Sequence, residues 1–146
     1  MEKRININQV EPQAYKAMYA LEGYLANIDI SKTLKELIKI RASQINNCAY
    51  CIDMHTKDAL KYGETNQRIF LVSAWREATK FFTEEEQTVL AMTEEITLIH
   101  QNGLSKDTYQ KAAGFFTETQ IAQIIMAIVT INAWNRIAVS THQEIE

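Results

Sequence analysis

Apolar positions along this chain recur at three- and four-residue intervals almost everywhere, and sustained alternation is nearly absent. Leu34, Leu37, Ile38, Arg41 and Ile45 follow helical spacing behind Ser31, a residue type suited to capping a helix start. Pro12 suits the first turn of a helix running to about Ala26. Past an Asn46-Asn47 break, a helix over Ile52 to Tyr62 closes on Gly63. Thr65 caps a segment through Trp75 and Glu77. Thr83 with Glu86, and Thr117 with Gln120, match the capping box, in which the cap side chain and the residue three places on satisfy each other's backbone N–H. The first opens a helix to about Gln101, ended by Asn102-Gly103, and the second opens a long apolar helix to about Thr141. Ser105 starts a shorter helix to about Phe115. Only Arg4 to Asn8 alternates, and it reads as an extended arm. The pattern predicts an all-α fold of roughly seven helices.

Composition narrows this picture. A chain of 146 residues fits one domain, spanning 1–146, and no repeat, linker or low-complexity tract divides it. Four glycines and one proline are few, as long helices require. A net charge of −3, without any block of Lys and Arg, gives no footprint for nucleic acid. The start, MEKRININQVEPQ, lacks the apolar core of a signal peptide, so a cytoplasmic protein is expected. The run Ile121 to Trp134 is short for a membrane span and carries Gln123, Thr130 and Asn132, so a core or subunit-interface helix is expected and no membrane contact.

The chemistry concentrates in NCAYCIDMHTK, Asn47 to Lys57, which holds both cysteines and one of the three histidines. In a reducing cytoplasm so close a pair points to redox work or metal binding rather than a permanent bridge. Asn46-Asn47 signals a helix start, so Cys48 falls at or near the first turn and Cys51 one turn inward. Unpaired N–H groups and the positive end of the helix dipole meet there and favour thiolate over thiol. Spacings of three and four put Cys48, Cys51 and His55 on one face. His55 can then serve Cys51 as base or relay, and Cys48 is close enough to form a disulfide with Cys51. Two readings compete. The cysteines could pack inertly, or Cys48, Cys51 and His55 could hold zinc if His100, His142 or a carboxylate supplied a fourth ligand. A thioredoxin-type centre would need a βαβ context that is missing here.

The run Glu36 to Leu60, ELIKIRASQINNCAYCIDMHTKDAL, resembles the core of the AhpD-like alkylhydroperoxidases of the carboxymuconolactone decarboxylase superfamily. The shared pattern is Glu, eleven residues, Cys-x-x-Cys, three residues, His, met here by Glu36, Cys48, Cys51 and His55. Similarity extends through AWRE (Ala74 to Glu77) and more loosely to NAWNRIAV (Asn132 to Val139), with the redox core at about 31–78. Decarboxylase members generally lack the cysteine pair, so the resemblance points to the redox branch. It implies an all-α fold with intertwined dimers, often trimers of dimers. It implies an antioxidant peroxidase in which Cys51 attacks a hydroperoxide, Cys48 resolves the sulfenic acid, and a dithiol donor such as a lipoylated protein re-reduces the pair. His55 and Glu36 form the implied proton relay, with no cofactor and no metal. One position departs: the family's His before the second cysteine is Tyr50 here. A phenol with a pK of about 10 is a poor base at neutral pH. A disulfide oxidoreductase with little peroxidase activity is therefore the alternative on the same fold.

Of the remaining candidates, Asp53 reads as a first-turn acid, as do Glu84, Glu85 and Glu86 in their own helix. His100 is expected at a helix C-terminus and His142 in a frayed tail. Trp75, Phe81, Phe82, Phe115, Phe116 and Trp134 are expected in the core or a subunit interface, and Arg76 and Arg136 at the surface.

Overall fold

The structure, a computed structural model, describes residues 2–145. Those residues form eight α-helices and two short 3-10 turns, with no strand among them. The helices are α1 (Ile7–Val10), α2 (Pro12–Ala26), α3 (Lys32–Ile45), α4 (Ala49–Lys61), α5 (Asn66–Leu71), α6 (Glu84–Thr97), α7 (Lys106–Phe115) and α8 (Glu118–Thr141).

Helix α3 is the hub, packing against α4, α6 and α8. Ser31 Oγ accepts the Leu34 N–H at 3.2 Å and starts it. Its apolar face carries Leu37, Ile38 and Ile40, all with no exposed surface. Leu90 and Met92 of α6 and Ile124 and Ile128 of α8 fill the other side of the same core. Full burial of such a side chain stabilises by roughly 1.5–3 kcal/mol. Helix α8 is longer than its most apolar run: its 24 residues would suit a bilayer span by length and composition. In this fold Ile121, Ile124, Ala127, Ile128 and Ile131 are buried against the core.

The two capping boxes form as the pattern predicts, at Thr83/Glu86 and Thr117/Gln120. Four boundaries differ. Residues Ile7–Val10 are a short helix rather than part of an extended arm, because Asn6 Oδ1 accepts the Gln9 N–H and caps it. Helix α4 begins at Ala49, with Cys48 itself as the N-cap residue. Helix α5 stops at Leu71 and tightens into a 3-10 turn over Val72–Ala74. That tightening accompanies burial of Trp75, whose indole N–H donates to Glu94 Oε1 at 2.8 Å. Helix α6 stops at Thr97, not Gln101, and the chain reverses through Asn102 and Gly103, both at positive φ. The reversal lets Glu95 accept from the Ser105 N–H and the Thr108 hydroxyl, 2.7 Å each, at the start of α7.

The N-terminal segment lies across the far end of α8, where the Arg4 guanidinium donates to the Ser140 carbonyl at 2.8 Å. Helix α2 packs along α8 beside it. This places the first two helices over the N-terminal part of α4, where the cysteines are.

Candidate active site

A tight turn joins α3 to α4 and sets the cysteines. The Cys48 N–H donates to the Ser43 carbonyl at 3.0 Å, and Asn47 sits in the left-handed region at φ 53°. Asparagine tolerates that conformation better than most residues. The turn is tied to α8 by a cluster of asparagines. Asn46 Nδ2 donates to Asn132 Oδ1 and Asn135 Oδ1, 2.9 Å each. Asn135, with no exposed surface, donates in turn to Ser43 Oγ at 2.9 Å. Asn132 donates to Thr97 Oγ1 at 3.0 Å, reaching α6. Every buried amide in the chain of contacts thus finds a partner, as a low-dielectric site requires. Sequence reasoning noted Asn132 only as a polar break in an apolar run and passed over Asn135. The available signal was two amides three residues apart inside the most apolar helix.

Cys48 and Cys51 are joined as a disulfide, with Cα atoms 5.4 Å apart. Both are almost fully buried, at 1% and 2% exposure, against Ala138 and Tyr50. Cys48 is the N-cap of α4 and Cys51 lies in its first turn, where the backbone N–H groups have no intrahelical acceptor. Once the bridge is reduced, those groups and the dipole end favour a thiolate.

His55, one turn beyond Cys51, is buried, and its Nδ1 lies 2.8 Å from Glu36 Oε2. The other oxygen of Glu36 accepts from Lys39 Nζ at 2.9 Å. Burial alone would push the Glu36 carboxyl up. The hydrogen bond and charge of His55, with Lys39, outweigh it and hold the group below the usual carboxylate range. An ionised carboxylate only accepts, so His55 carries a hydrogen on Nδ1, which leaves Nε2 outside the contact with Glu36. The structure therefore brings Glu36 and His55 into direct contact, which the spacing alone could not establish.

The two sulfurs and His55 are not arranged as a zinc set, since the cysteines are bonded to each other and His55 Nδ1 is engaged by Glu36. Asp58 lies close enough that its carboxylate, Glu36 and His55 have donor atoms within 4.8 Å of one another. Lys39 already occupies Glu36 and Lys61 reaches Asp58 at 3.1 Å, so the cluster is charge-balanced by ammonium groups rather than laid out for a cation. Asp53 pairs with Lys57 at 2.7 Å and does not border the pocket that opens on Cys51. His100 is exposed beyond the end of α6, and His142 caps α8 in the left-handed conformation. Trp75 and Phe82 are core residues, and Arg76 is bound to Glu94 at 2.7 Å.

A pocket of about 460 Å³ opens on this centre. Cys51 and His55 border it, while Cys48 does not. Tyr50 forms part of its wall, as do Tyr15 and Tyr19 from α2 and Trp134 from α8. Burial, then the neighbouring phenols of Tyr19 and Tyr50, push the Tyr15 hydroxyl up, so it stays a neutral donor. The arrangement can do thiol chemistry: a sulfur reachable from a pocket, a second sulfur behind it and an oriented imidazole beside it.

Known proteins agree with this architecture. A protein from Agrobacterium tumefaciens, described as of unknown function and provisionally as the antioxidant defence protein AhpD, is 38% identical and superposes with a TM-score of 0.95 over 99% of both chains. The uncharacterized protein YdfG of Bacillus subtilis (strain 168) is 41% identical over 140 residues, 96% of this chain and 95% of that one. An uncharacterized peroxidase-related protein from a Silicibacter species shares the fold at 20% identity, with a TM-score of 0.79 over 88% of this chain and 68% of its own. The sequence model of the carboxymuconolactone decarboxylase family matches residues 12–95. The chain belongs to the carboxymuconolactone decarboxylase family, within its AhpD-like group.

Proposed function

We propose that this protein is a thiol-dependent peroxidase. The observation that carries the reading is the meeting of Cys51 and the Glu36-bound His55 at one pocket, with Cys48 bonded behind. In the reduced enzyme His55 Nε2 takes the proton of the Cys51 thiol while Glu36 holds the ring by its Nδ1–H. The thiolate attacks the terminal oxygen of a hydroperoxide. An S–O bond forms, the O–O bond breaks, and the departing alkoxide takes the proton back from His55. Cys51 is left as a sulfenic acid. Cys48 then attacks that sulfur, forming the disulfide and releasing water. A dithiol donor, such as a lipoyl group on a carrier protein, supplies the two electrons that restore both thiols and leaves as its own disulfide. A reducing, cytoplasmic setting suits such a cycle.

Large apolar side chains left exposed, including Phe70, Phe115 and Val129, support assembly into a homo-oligomer, a dimer or a trimer of dimers. One observation favours a second reading. Tyr50 stands where an imidazole would shorten the proton path, and a phenol replaces it poorly. On that reading the protein exchanges dithiols and disulfides and reduces peroxide only slowly.

Reduced protein treated with one equivalent of hydroperoxide and then alkylated decides between them. The proposal expects loss of both alkylatable thiols within seconds, loss of the reaction in Cys51→Ser, and a trappable sulfenic acid in Cys48→Ser. Two free thiols after a stoichiometric dose would overturn it. Rapid oxidation by a disulfide donor alone would favour the second reading.

A further inference from the structure

The pocket over Cys51 is built differently from what a small peroxide needs. A water-sized molecule takes up roughly 30 Å³ of liquid, and an engineered apolar cavity of about 150 Å³ holds benzene. The volume here is about 460 Å³. Most of one side is aromatic. Tyr15 and Trp134 meet edge-on with ring centroids 5.4 Å apart, Tyr15 and Tyr19 likewise at 5.8 Å, and Tyr19 tilts against Trp134 at 5.9 Å. Trp134 is anchored within the wall itself, because its indole N–H donates to Glu22 at 2.9 Å. Tyr19 is still 56% exposed, so part of its ring is uncovered. Rings set this way offer both faces and edges to a further ring, the geometry in which aromatic groups attract beyond simple burial.

Charge adds a second constraint. Glu22, Asp58 and Lys39 border the pocket, and Lys39 is already bonded to Glu36. Asp58 is in turn paired with Lys61, so the charge left at the wall is that of Glu22, which disfavours a carboxylate-bearing ligand such as a fatty-acid hydroperoxide.

We propose that Tyr15, Tyr19 and Trp134 form a subsite for a neutral aryl group, so that the substrate is an uncharged aryl-bearing hydroperoxide delivered with its O–O bond towards Cys51. The inference rests on the peroxidase reading for the reaction but not for binding. The ring fills the aromatic wall contributed by α2 and α8, and the peroxide end reaches the α4 sulfur. Hydrogen peroxide and straight-chain hydroperoxides reach the sulfur without engaging that wall.

The test has two arms. In the first, the reduced enzyme recycled by dithiothreitol is given cumene hydroperoxide, tert-butyl hydroperoxide and linoleic acid hydroperoxide. One aromatic contact set of about 0.5–1.5 kcal/mol corresponds to roughly two- to twelvefold, so cumene hydroperoxide should lead both others in kcat/KM by several-fold. Tyr19→Leu should bring the cumene to tert-butyl ratio towards one, and Tyr19→Phe should keep it. In the second arm, 2-phenyl-2-propanol, the alcohol product, is titrated into Cys51→Ser and followed by Trp134 emission, with Trp134→Phe as the blank. Saturable binding lost in Tyr19→Leu is expected. If the alcohol binds but no hydroperoxide oxidises the thiols, the subsite stands and the peroxidase reading falls. If every hydroperoxide reacts alike and the alcohol does not bind, the subsite falls and the peroxidase reading stands. Preference for the fatty-acid hydroperoxide would overturn the proposal by pointing to a charged or extended ligand.

Discussion

Replacing Asn135 by leucine isolates what the asparagine cluster contributes. The side chains are similar in size, so little cavity or overpacking is introduced. The variant loses the donation to Ser43 Oγ and the acceptance from Asn46 Nδ2, both 2.9 Å in a fully buried position. Asn46 keeps its bond to Asn132. Ser43 Oγ, on a residue with no exposed surface, loses the Asn135 donor. Two hydrogen bonds at about 0.5–1.5 kcal/mol net each, plus a penalty of roughly 1–3 kcal/mol for a stranded polar group, give about 2–6 kcal/mol. Leucine returns part of this through its own burial, so a loss of about 2–3 kcal/mol is expected. At roughly 3–4 °C per kcal/mol for a chain of this size, Tm should fall by about 6–12 °C. Thermal unfolding followed by circular dichroism measures it. Asn46→Ala and the double variant complete a cycle, in which the double loss should fall short of the sum by at least about 0.5 kcal/mol because the two residues share a bond. A Tm drop under about 2 °C, or strict additivity, would refute the reasoning that this cluster pins the cysteine turn.

Glu36→Gln replaces an ionised acceptor with an amide and should slow Cys51 oxidation by about 10²-fold or more, read by stopped-flow with excess peroxide; an unchanged rate would remove Glu36 from the relay. The Glu36 carboxyl is held below its usual 4.5, and Glu94 likewise, where burial is outweighed by Arg76, Trp75 and Arg41. A depressed folded-state value adds stability that is present above the unfolded value and lost as pH falls through the folded one, so the urea midpoint should drop below about pH 4.5 and the drop should shrink in Glu94→Gln. Gly63 closes α4 at φ 102° with open space around its Cα, so Gly63→Ala should cost about 1–2 kcal/mol from backbone strain alone, seen as a lower denaturation midpoint at unchanged slope.

Local chemistry was readable from the chain, and long-range convergence was not. The capping boxes at Thr83 and Thr117 are decided within four residues, and so is the stop at Gly63. The end of α6 was misplaced because Leu98 to Gln101 continue a plausible helix, while the reversal serves Glu95 and Ser105, which meet only after the chain turns. The break after Leu71 is likewise set by a partner, Glu94, on another helix. At the site, the face shared by Cys48, Cys51 and His55 follows from helical spacing. The reach of Glu36 to His55 followed only from the resemblance, because no periodicity measures the distance between two helices. Tyr15 and Tyr19 were invisible as pocket residues: more than a hundred positions separate them from Trp134, which their rings meet within 6 Å.

The covalent bridge closes a ring of only four residues inside one turn of α4. Entropy of cross-linking grows with the length enclosed, and for so short a ring it is near 2 kcal/mol, well below the roughly 4.7 kcal/mol of a hundred-residue loop. Cutting the bond therefore leaves the surrounding bundle standing, and electrons can enter and leave without the scaffold being dismantled. Any protein that must distinguish the two forms would have to probe the sulfurs at close range, because the outline of the molecule would barely announce which one it has met.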